Sequence, residues 1–372
     1  MTLIKTQCGL EKISPYIPGK PAEELKRECG LDDIIKLASN ENPLGPSPKA
    51  IAAIARALPG LNVYPDGAGH QVRQALARHL DIDPAWIAIA NGADGLILET
   101  CMAYLEEGTE VVTSRSSFPI YDLYTHAMRA TLVKTNTLEY GLDLEAMAEA
   151  INERTRVVFL CNPNNPTGTM VSQGAIDNFL AKVPPCVLVV LDEAYFHFAG
   201  PEMPDGLRYV REGRENVVVF RTFSKAYGLA GIRLGYGVGH PEVLASLNRV
   251  KEPFAVNLLA QVAGIAALED DEFLNRTLST NEEGRQYFYR QFQRLGLFCV
   301  PSHTNFVLVQ LGPKAAETVN LLMRRGVIVR PCSAYELPHF LRITVGTQAQ
   351  NERLVAALEE IVPTLAEILK RG

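Results

Sequence analysis

The sequence predicts an α/β fold with two domains. The large domain has a mostly parallel sheet of about seven strands covered by helices on both faces, and the smaller domain is α+β. From Trp86 to Val238, short β-branched runs alternate with helical stretches. This alternation is typical of crossover connections between parallel strands. After Leu244 the pattern changes to long helices followed by short alternating runs, which indicates the second, smaller domain.

The N-terminal residues precede this pattern. About forty irregular residues contain one short helical pattern near Pro21–Cys29. The stretch LASNENPLGPSP (Leu37–Pro48) is a turn-rich loop, because its Asn-Pro, Gly-Pro and Ser-Pro pairs disfavour helix. Helices are predicted next over Lys49–Leu58, directly after a proline, and over Gln71–Leu80.

The elements of both domains follow from these patterns. The strands of the large sheet are predicted at Trp86–Ala90, Glu110–Thr113, Thr131–Lys134, Val157–Cys161, Val187–Leu191, Val217–Phe220 and Leu234–Val238. The helices among them are predicted at Asp94–Glu106, Ile120–Met128, Leu144–Ile151 and Ser172–Ala181. The smaller domain is predicted to contain helices at Leu258–Leu268, Asp271–Leu295 and Asn351–Leu369, with strands at Asn305–Gln310, Val327–Arg330 and Leu341–Val345.

The domain organisation follows from the positions of these elements. We expect residues 50–250 to form the large α/β domain and residues 251–372 to form the small α+β domain. Residues 1–49 should pack with the small domain, since the large domain begins only near residue 50.

Composition excludes several classes of protein. The chain has 372 residues, a net charge of −6 and 47% hydrophobic residues. This composition is ordinary for a globular protein, and the negative charge argues against a general binder of nucleic acids or acidic membranes. Because no signal peptide or membrane-spanning apolar stretch is recognisable, we expect a cytoplasmic protein. The seven cysteines and seven histidines are scattered, which favours reduced thiols and indicates no metal cluster.

One stretch, NVVVFRTFSKAYGLAGIRLGY (Asn216–Tyr236), carries the main chemical prediction. Lys225 follows a buried strand directly, between hydroxyl side chains and before a Gly-rich turn that carries Arg233. Thr222 and Ser224 project to the same side if the strand extends this far. An arginine fork and two hydroxyls suit a phosphate. We therefore predict that Lys225 is a Schiff-base lysine in a pyridoxal-phosphate enzyme.

Three further stretches lie at predicted strand ends, where ligands bind in open α/β sheets. NGADG (Asn91–Gly95) turns into a helix N-terminus, whose free N–H groups suit phosphate. NPNNPTG (Asn162–Gly168) is a rigid loop with projecting amides. In LDEAY (Leu191–Tyr195), Asp192 ends a buried apolar run, where a carboxylate needs a partner. A pyridine nitrogen would be such a partner and would stay protonated beside Asp192. Each stretch alone also has an ordinary structural explanation, but together they supply every group that pyridoxal phosphate requires.

These motifs carry a resemblance to a known family. NPNNPTG, DEAY and SKAYGLAGIRLGY resemble the fold-type-I pyridoxal-phosphate aminotransferases. LASNENPLGPSP, YPDG (Tyr64–Gly67), NGADG, GVIVRP (Gly326–Pro331) and LRITVGT (Leu341–Thr347) are similar to the members that act on histidinol phosphate. The resemblance runs from about Ser14 to the C-terminus. It implies a cytoplasmic enzyme of histidine biosynthesis that moves an amino group between histidinol phosphate and 2-oxoglutarate, in ping-pong fashion through the aldimine of Lys225.

The resemblance also implies roles for individual residues. Lys225 would bind the cofactor aldehyde, Asp192 the pyridine nitrogen, and Tyr195 with Asn165 the phenolic oxygen. Phe118 would stack on the ring, in a position that often carries tyrosine. The phosphate would be held by the backbone at Ala93 and Asp94, by Thr222, Ser224 and Arg233, and by Tyr64 of the partner subunit in a homodimer with shared active sites.

The substrate is less firmly specified than the cofactor. Arg330 and Arg342 lie in apolar runs, where an arginine rarely lacks an anionic partner. They are candidates to bind the substrate phosphate and the carboxylates of 2-oxoglutarate, and Tyr16 resembles the family's substrate-covering tyrosine. An aromatic-amino-acid aminotransferase remains the main alternative. A phosphothreonine-type decarboxylase on the same fold and a cofactor-sensing regulator are more remote ones.

Overall fold

The computed structural model describes residues 6–15, 19–31 and 33–369. In these ranges, the strands in chain order are β1 (Ile35–Leu37), β2 (Ile87–Asn91), β3 (Glu110–Ser114), β4 (Thr131–Thr135), β5 (Thr137–Leu138), β6 (Gly141–Leu142), β7 (Thr155–Cys161), β8 (Leu188–Asp192), β9 (Val217–Thr222), β10 (Leu234–Gly239), β11 (Cys299–Val300), β12 (Phe306–Gln310), β13 (Val327–Pro331) and β14 (Phe340–Thr344).

Helices cover both faces of the larger sheet, and others pack on the smaller one. They are α1 (Ala22–Cys29), α2 (Pro48–Ala57), α3 (His70–Leu80), α4 (Gly92–Tyr104), α5 (Ile120–Ala127), α6 (Leu144–Glu149), α7 (Gln173–Lys182), α8 (Leu207–Arg211), α9 (Pro241–Val250), α10 (Leu258–Ala267), α11 (Asp271–Arg294), α12 (Ala315–Met323) and α13 (Gln348–Leu369). Within the described ranges, no helix is both long enough and apolar enough to cross a bilayer.

The larger sheet has seven strands in the order β2-β10-β9-β8-β7-β3-β4. β10 runs antiparallel to both of its neighbours, and the remaining pairs are parallel. All seven predicted strands are present, and each end lies within two residues of its predicted position. The predicted mostly parallel, seven-stranded α/β sheet is therefore confirmed.

The central strands are apolar on both faces because helices cover both. Along β7, Val158 and Leu160 belong to the core on one face, and Val157 and Phe159 belong to the core on the other. All four side chains have no exposed surface. Full burial of one such side chain is worth about 1.5–3 kcal/mol relative to exposure. This two-sided burial explains why the strands read as continuous apolar runs.

The second sheet has the order β1-β13-β14-β12-β11. β1, from the N-terminal segment, pairs in parallel with β13, so that Ile35 lies opposite Val327. The core of this sheet includes Phe288 and Phe292 of α11, whose rings stack with centroids 5.3 Å apart. Three of its five strands are predicted from the sequence. β1 and β11 are missed because two or three residues are too few to show a period.

The functional elements meet at one edge of the larger sheet. β7, β8 and β9 end there at Cys161, Asp192 and Thr222, and β2 ends at Asn91, just before α4. Because parallel strands share this carboxyl edge, the four motifs of the sequence analysis converge there.

The second sheet is tied to the larger one beside this edge. Glu336, in the turn after β13, forms ion pairs with Arg115 at 2.8 Å and with Lys134 at 2.9 Å, both from the larger-sheet side. Arg342 of β14 reaches across to Asn165 in the loop after β7. The site at this edge therefore has walls from both sheets.

Candidate active site

A cavity of about 260 Å³ opens at the carboxyl edge of the larger sheet. The larger sheet and its loops supply most of the wall. The second sheet supplies Arg342, and the segments next to its strands supply Tyr335 and residues 39–41. The predicted site residues that line it are Ala93, Asp94, Phe118, Asn165, Asp192, Tyr195, Thr222, Ser224, Lys225, Arg233 and Arg342. The structure thus brings together eleven side chains or backbone positions from stretches that are far apart in sequence.

Lys225 lies in the loop after β9 and borders the cavity. Burial, and then the charge of Arg342, lowers the pKa of its amine from the usual 10.5 to about 8. An ammonium group loses hydration when it is buried, so burial favours the neutral form. Lys225 therefore has an appreciable neutral fraction near neutral pH, as an amine nucleophile requires.

Asp192 is the last residue of β8 and is only 3% exposed. Burial raises the pKa of its carboxyl from 3.8 to about 6, although hydrogen bonds oppose this rise. The Tyr121 hydroxyl donates to Oδ2 at 2.6 Å, and the Ala194 N–H donates to Oδ1 at 3.2 Å. A carboxylate with so little solvent is suited to hold a cationic group such as a protonated pyridine nitrogen.

Hydroxyls and a guanidinium gather at the end of the cavity near α4. Thr222 Oγ1 donates to Ser224 Oγ at 3.0 Å, and Arg233 Nη1 donates to the same oxygen at 3.4 Å. The Arg233 guanidinium also lies 3.6 Å from Asp94 Oδ2. These donors stand beside the N-terminus of α4, so this end of the cavity suits a phosphate.

Gly92 makes this arrangement sterically feasible. Its φ of +78° lies in the left-handed region, and a Cβ there would collide with the Arg233 guanidinium. Only glycine lets Arg233 approach the first turn of α4 so closely. The resulting cradle of backbone N–H groups, hydroxyls and a guanidinium fits the phosphate of pyridoxal phosphate, and Lys225 and Asp192 fit its aldehyde and its ring nitrogen.

Tyr195 and Asn165 are each oriented by a neighbouring side chain: Tyr195 by Asn40, which was not predicted, and Asn165 by Arg342, which was. Asn40 Nδ2 donates to Tyr195 Oη at 2.9 Å, which leaves the tyrosine hydroxyl hydrogen for another acceptor. Burial raises the pKa of Tyr195, so it keeps that hydrogen. Arg342 Nη1 donates to Asn165 Oδ1 at 2.6 Å, which leaves the amide NH₂ group as the donor side of Asn165. Both residues are therefore arranged as donors, as a phenolic oxygen requires.

Arg342 lies in β14 and is 4% exposed. Besides Asn165, it donates to Tyr335 Oη at 3.1 Å and to the Ala38 carbonyl at 2.8 Å. Its guanidinium is thus fixed in one orientation at the cavity wall. A planar fork held in this way suits a carboxylate or a phosphate.

Three predicted residues lie elsewhere. Arg330 is buried, but it lines a neighbouring cavity of about 400 Å³ together with Lys12 and His126. Tyr64 is 79% exposed and stacks on Phe254, with centroids 4.7 Å apart, away from the cavity of its own chain. Tyr16 lies outside the described residues.

Sequence reasoning missed several residues that border or support the cavity. Asn40 and Glu41 lie in the wall, within the LASNENPLGPSP loop that the sequence marks only as a turn. Tyr335 also lines the wall, and Tyr121 supports Asp192 from behind. Phe118 precedes α5, whereas Tyr121 is the second residue of that helix, so no helical spacing signalled that Tyr121 would face Asp192.

The sequence pattern of the family described as "Aminotransferase class I and II" matches residues 32–358. This match covers most of the chain, so the chain belongs to that family. Its similar relatives include a histidinol-phosphate aminotransferase of Moorella thermoacetica, 48% identical over 362 residues that cover 97% of this chain and 94% of the relative. Another, with the same name, from Symbiobacterium thermophilum, is 46% identical and covers 96% of this chain and 98% of the relative.

A solved structure agrees over nearly the whole chain. The histidinol-phosphate aminotransferase of Sinorhizobium meliloti, described in complex with pyridoxal-5'-phosphate, superposes with a TM-score of 0.90. It is 32% identical in sequence, and the match covers 98% of this chain and 99% of the other. The fold and the family therefore rest on both sequence and structure.

Proposed function

We propose that this chain is a pyridoxal-phosphate-dependent aminotransferase of histidine biosynthesis. It moves an amino group between histidinol phosphate, whose keto partner is imidazole acetol phosphate, and the pair glutamate and 2-oxoglutarate. The observation that carries this proposal is the cavity that joins the amine of Lys225, with its lowered pKa, to the carboxylate of Asp192 and the guanidinium of Arg342. The relatives at 46–48% identity, which bear this enzyme name, support the choice of substrate.

The bound cofactor supplies an electron sink for the carbon that bears the substrate amine. Lys225 would hold the cofactor through its amine, and Asp192 would hold the ring nitrogen as a cation. When its amine is free, the Lys225 Nζ would take the proton from the substrate carbon that bears the amine, as a general base. The pKa of about 8 suits this exchange, because both protonation states of Lys225 are then accessible near neutral pH.

The other cavity residues would hold the cofactor in place. Thr222, Ser224 and Arg233, with the backbone N–H groups of Ala93 and Asp94, would bind its phosphate. Tyr195 and Asn165 would donate to the phenolic oxygen, and Phe118 would pack on the ring. These contacts would fix the position of the cofactor relative to the Lys225 amine.

Arg342 binds the anionic group of each substrate in turn. In one half-reaction this group is the phosphate of histidinol phosphate, and in the other it is a carboxylate of 2-oxoglutarate. A fixed guanidinium can serve both because each presents paired oxygens. Arg330, from the neighbouring cavity, and Tyr16 are proposed as further substrate contacts.

The active form is a homodimer. Tyr64 does not line the cavity of its own chain, and it forms an exposed apolar pair with Phe254. In a dimer that buries this pair, Tyr64 would contribute to the phosphate site of the partner subunit.

Single-turnover mixing of the holoenzyme with separate amine donors tests the proposed substrate. Histidinol phosphate and glutamate should each discharge the absorbance of the lysine-bound cofactor. Phenylalanine has a carboxylate but no phosphate, so it should react roughly ten- to a hundredfold more slowly than histidinol phosphate at equal concentration. If phenylalanine reacts faster than histidinol phosphate, the chain is an aromatic-amino-acid aminotransferase. Release of CO₂ without consumption of 2-oxoglutarate would instead identify a decarboxylase.

Lys225→Ala is the matched control for the cofactor assignment. It should lack the lysine-bound absorbance band and nearly all turnover, while Lys182→Ala, at an exposed lysine in α7, should match the wild type. A normal band in Lys225→Ala would refute the central assignment.

A further inference from the structure

Tyr121 has no exposed surface and does not line the cavity, yet it touches the centre of the proposed chemistry. It is the second residue of α5, and its ring stacks on Phe159 of β7 with centroids 4.5 Å apart and planes 4° apart. Phe118 meets the ring edge-on at 5.7 Å. The phenol is therefore fixed on two sides by aromatic packing.

The Tyr121 hydroxyl is directed at Asp192. It donates to Oδ2 at 2.6 Å, while Oδ1 accepts from the Ala194 N–H at 3.2 Å. An O–H···O bond of this length is typical of a donor to an ionised oxygen. Burial, and then the charge of Asp192, raises the pKa of Tyr121 well above its ordinary value, so its hydroxyl stays a donor throughout the working pH range.

The other titratable groups around Asp192 do not replace this bond. Asp94, at the start of α4, raises the pKa of Asp192. Lys225 lowers this pKa, but by less than the Tyr121 hydrogen bond does. Cys161 of β7 lies opposite Asp192 in the register, and its thiol donates to the Pro163 carbonyl at 3.5 Å. Burial raises the pKa of Asp192, and the hydrogen bond from Tyr121 is the largest effect that lowers it.

We propose that Tyr121 is a positioning residue: its hydroxyl keeps Asp192 ionised and fixed, so that the ring nitrogen of the bound cofactor, and not the carboxyl, holds the shared proton. A hydrogen bond to a carboxylate makes that carboxylate a weaker base. Without the hydroxyl, the proton moves toward the Asp192 oxygen and the ring nitrogen becomes neutral. This inference rests on the proposed pyridoxal-phosphate function.

The test uses holoenzyme loaded with pyridoxal phosphate that carries ¹⁵N in the ring. In the wild type at neutral pH, the ¹⁵N resonance should have the chemical shift of a protonated pyridine. In Tyr121→Phe it should move toward the shift of a neutral pyridine, and the cofactor should dissociate roughly ten- to a hundredfold more readily, the range for a lost hydrogen bond to a charged group. Asp192→Asn supplies the reference shift for the neutral ring.

Tyr209→Phe is the matched control. The Tyr209 hydroxyl donates to Asp177 at 2.7 Å, so this variant also loses a hydrogen bond from tyrosine to aspartate, but outside the cavity. It should keep the wild-type ¹⁵N shift and cofactor affinity, even if both variants lose similar thermal stability. A merely structural role for Tyr121 predicts the same result for both variants.

Two outcomes overturn the inference. One is a Tyr121→Phe holoenzyme that keeps the wild-type ¹⁵N shift and cofactor affinity. The other is a wild-type holoenzyme whose ring nitrogen is already neutral, a result that can be seen without any variant. Failure of the wild type to bind pyridoxal phosphate would instead overturn the proposed function.

Discussion

Among single residues, Lys225 gives the most direct pH prediction. Its pKa is lowered to about 8 by burial and then by Arg342, and only the neutral amine attacks an aldehyde. We expect the apoprotein to capture pyridoxal phosphate at a rate that rises with pH and levels off above about 8. Stopped-flow absorbance on both sides of this pH measures the midpoint. A midpoint near the ordinary lysine value of 10.5 would contradict the effect of burial.

Asp192 and Tyr121 differ in how far their roles could be predicted from the sequence. Asp192 was predictable because a carboxylate that ends an apolar run needs a partner, a property visible in consecutive residues. Its hydrogen bond to Tyr121 joins positions 71 residues apart, and no local pattern encodes such a pairing.

Arg330 and Arg342 have similar sequence contexts but different positions in the structure. Both sit in apolar runs and read alike in sequence, but only Arg342 lines the cavity that contains Lys225. The two arginines are paired in register on β13 and β14, and both lie near the Tyr335 ring. They differ only in which of two neighbouring cavities each one lines, and no local sequence pattern encodes that.

Among the elements, the start of α2 offers a sharp test of stability. Ser47 Oγ accepts from the Ala50 N–H at 3.2 Å as the N-cap and donates to Asp270 Oδ2 at 2.5 Å, just before α11. Ser47→Ala removes both bonds, so we expect a loss of about 2–4 kcal/mol in the free energy of unfolding. Urea denaturation at a fixed protein concentration measures it through the shift in midpoint.

Ser172→Ala is the matched control for this prediction. Ser172 caps α7 through the Ala175 N–H at 3.3 Å, but it is exposed, so the loss should be only about 0.5–2 kcal/mol. Equal losses in both variants would show that the bond to Asp270 contributes nothing.

The effect of Ser47→Ala should also depend on pH. Burial alone would raise the pKa of Asp270, but its hydrogen bonds from Ser47 and the Lys49 N–H lower it overall. A group with a lowered pKa in the folded state stabilises that state above its unfolded pKa and loses this contribution as the pH falls through the folded value. The difference between the variant and the wild type should therefore shrink in acid.

The strands illustrate which elements a sequence reveals. β7 and β9 are continuous apolar runs bounded by polar or turn residues, and their positions were predicted within two residues. β1 has three residues and exists as a strand because β13 offers a free edge in parallel. Its pairing partner is nearly three hundred residues away, so neither its type nor its register was visible locally.

For the whole molecule, the exposed apolar surface around Tyr64 leads to a prediction about assembly. Leu58, Leu61, Val63 and Tyr64 are exposed within one short stretch of the chain, and the exposed Phe254 stacks on Tyr64. Exposed apolar side chains grouped in this way commonly mark a binding interface. We expect the protein to sediment as a dimer, and Phe254→Asp to shift it toward the monomer and weaken cofactor binding.

Complementation tests whether the proposed sites are shared between subunits. Lys225→Ala and Tyr64→Ala should each be defective alone. When the two chains are unfolded and reassembled together, a mixed dimer has one site with Lys225 from one chain and Tyr64 from the other. Random pairing should therefore restore about a quarter of the sites to wild-type cofactor affinity. No recovery in a mixture that contains mixed dimers would place Tyr64 outside the partner's site.

The division into domains remains a proposal. We propose a large domain over residues 50–250 and a small domain over 251–372, with residues 1–49 packed on the small domain. The parallel pairing of β1 with β13 supports the placement of the N-terminal segment. Helix α10 follows residue 250 but shares a core with α2 and α3 of the larger sheet, so it would lie across the boundary.

The hydrogen bond from Arg342 to Asn165 has a consequence for redesign of the enzyme. An engineer who seeks a new amine substrate would naturally mutate the anion-binding arginine. In this chain that change also removes the hydrogen bond that orients the Asn165 amide, which is proposed to hold the cofactor. Variants selected from libraries at Arg342 should therefore mostly be those that restore cofactor binding, rather than those that accept a new substrate. Tyr335, which borders the same cavity and hydrogen-bonds Arg342 from the side, is the better starting position, because its replacement can reshape the pocket while the arginine keeps its bond to Asn165.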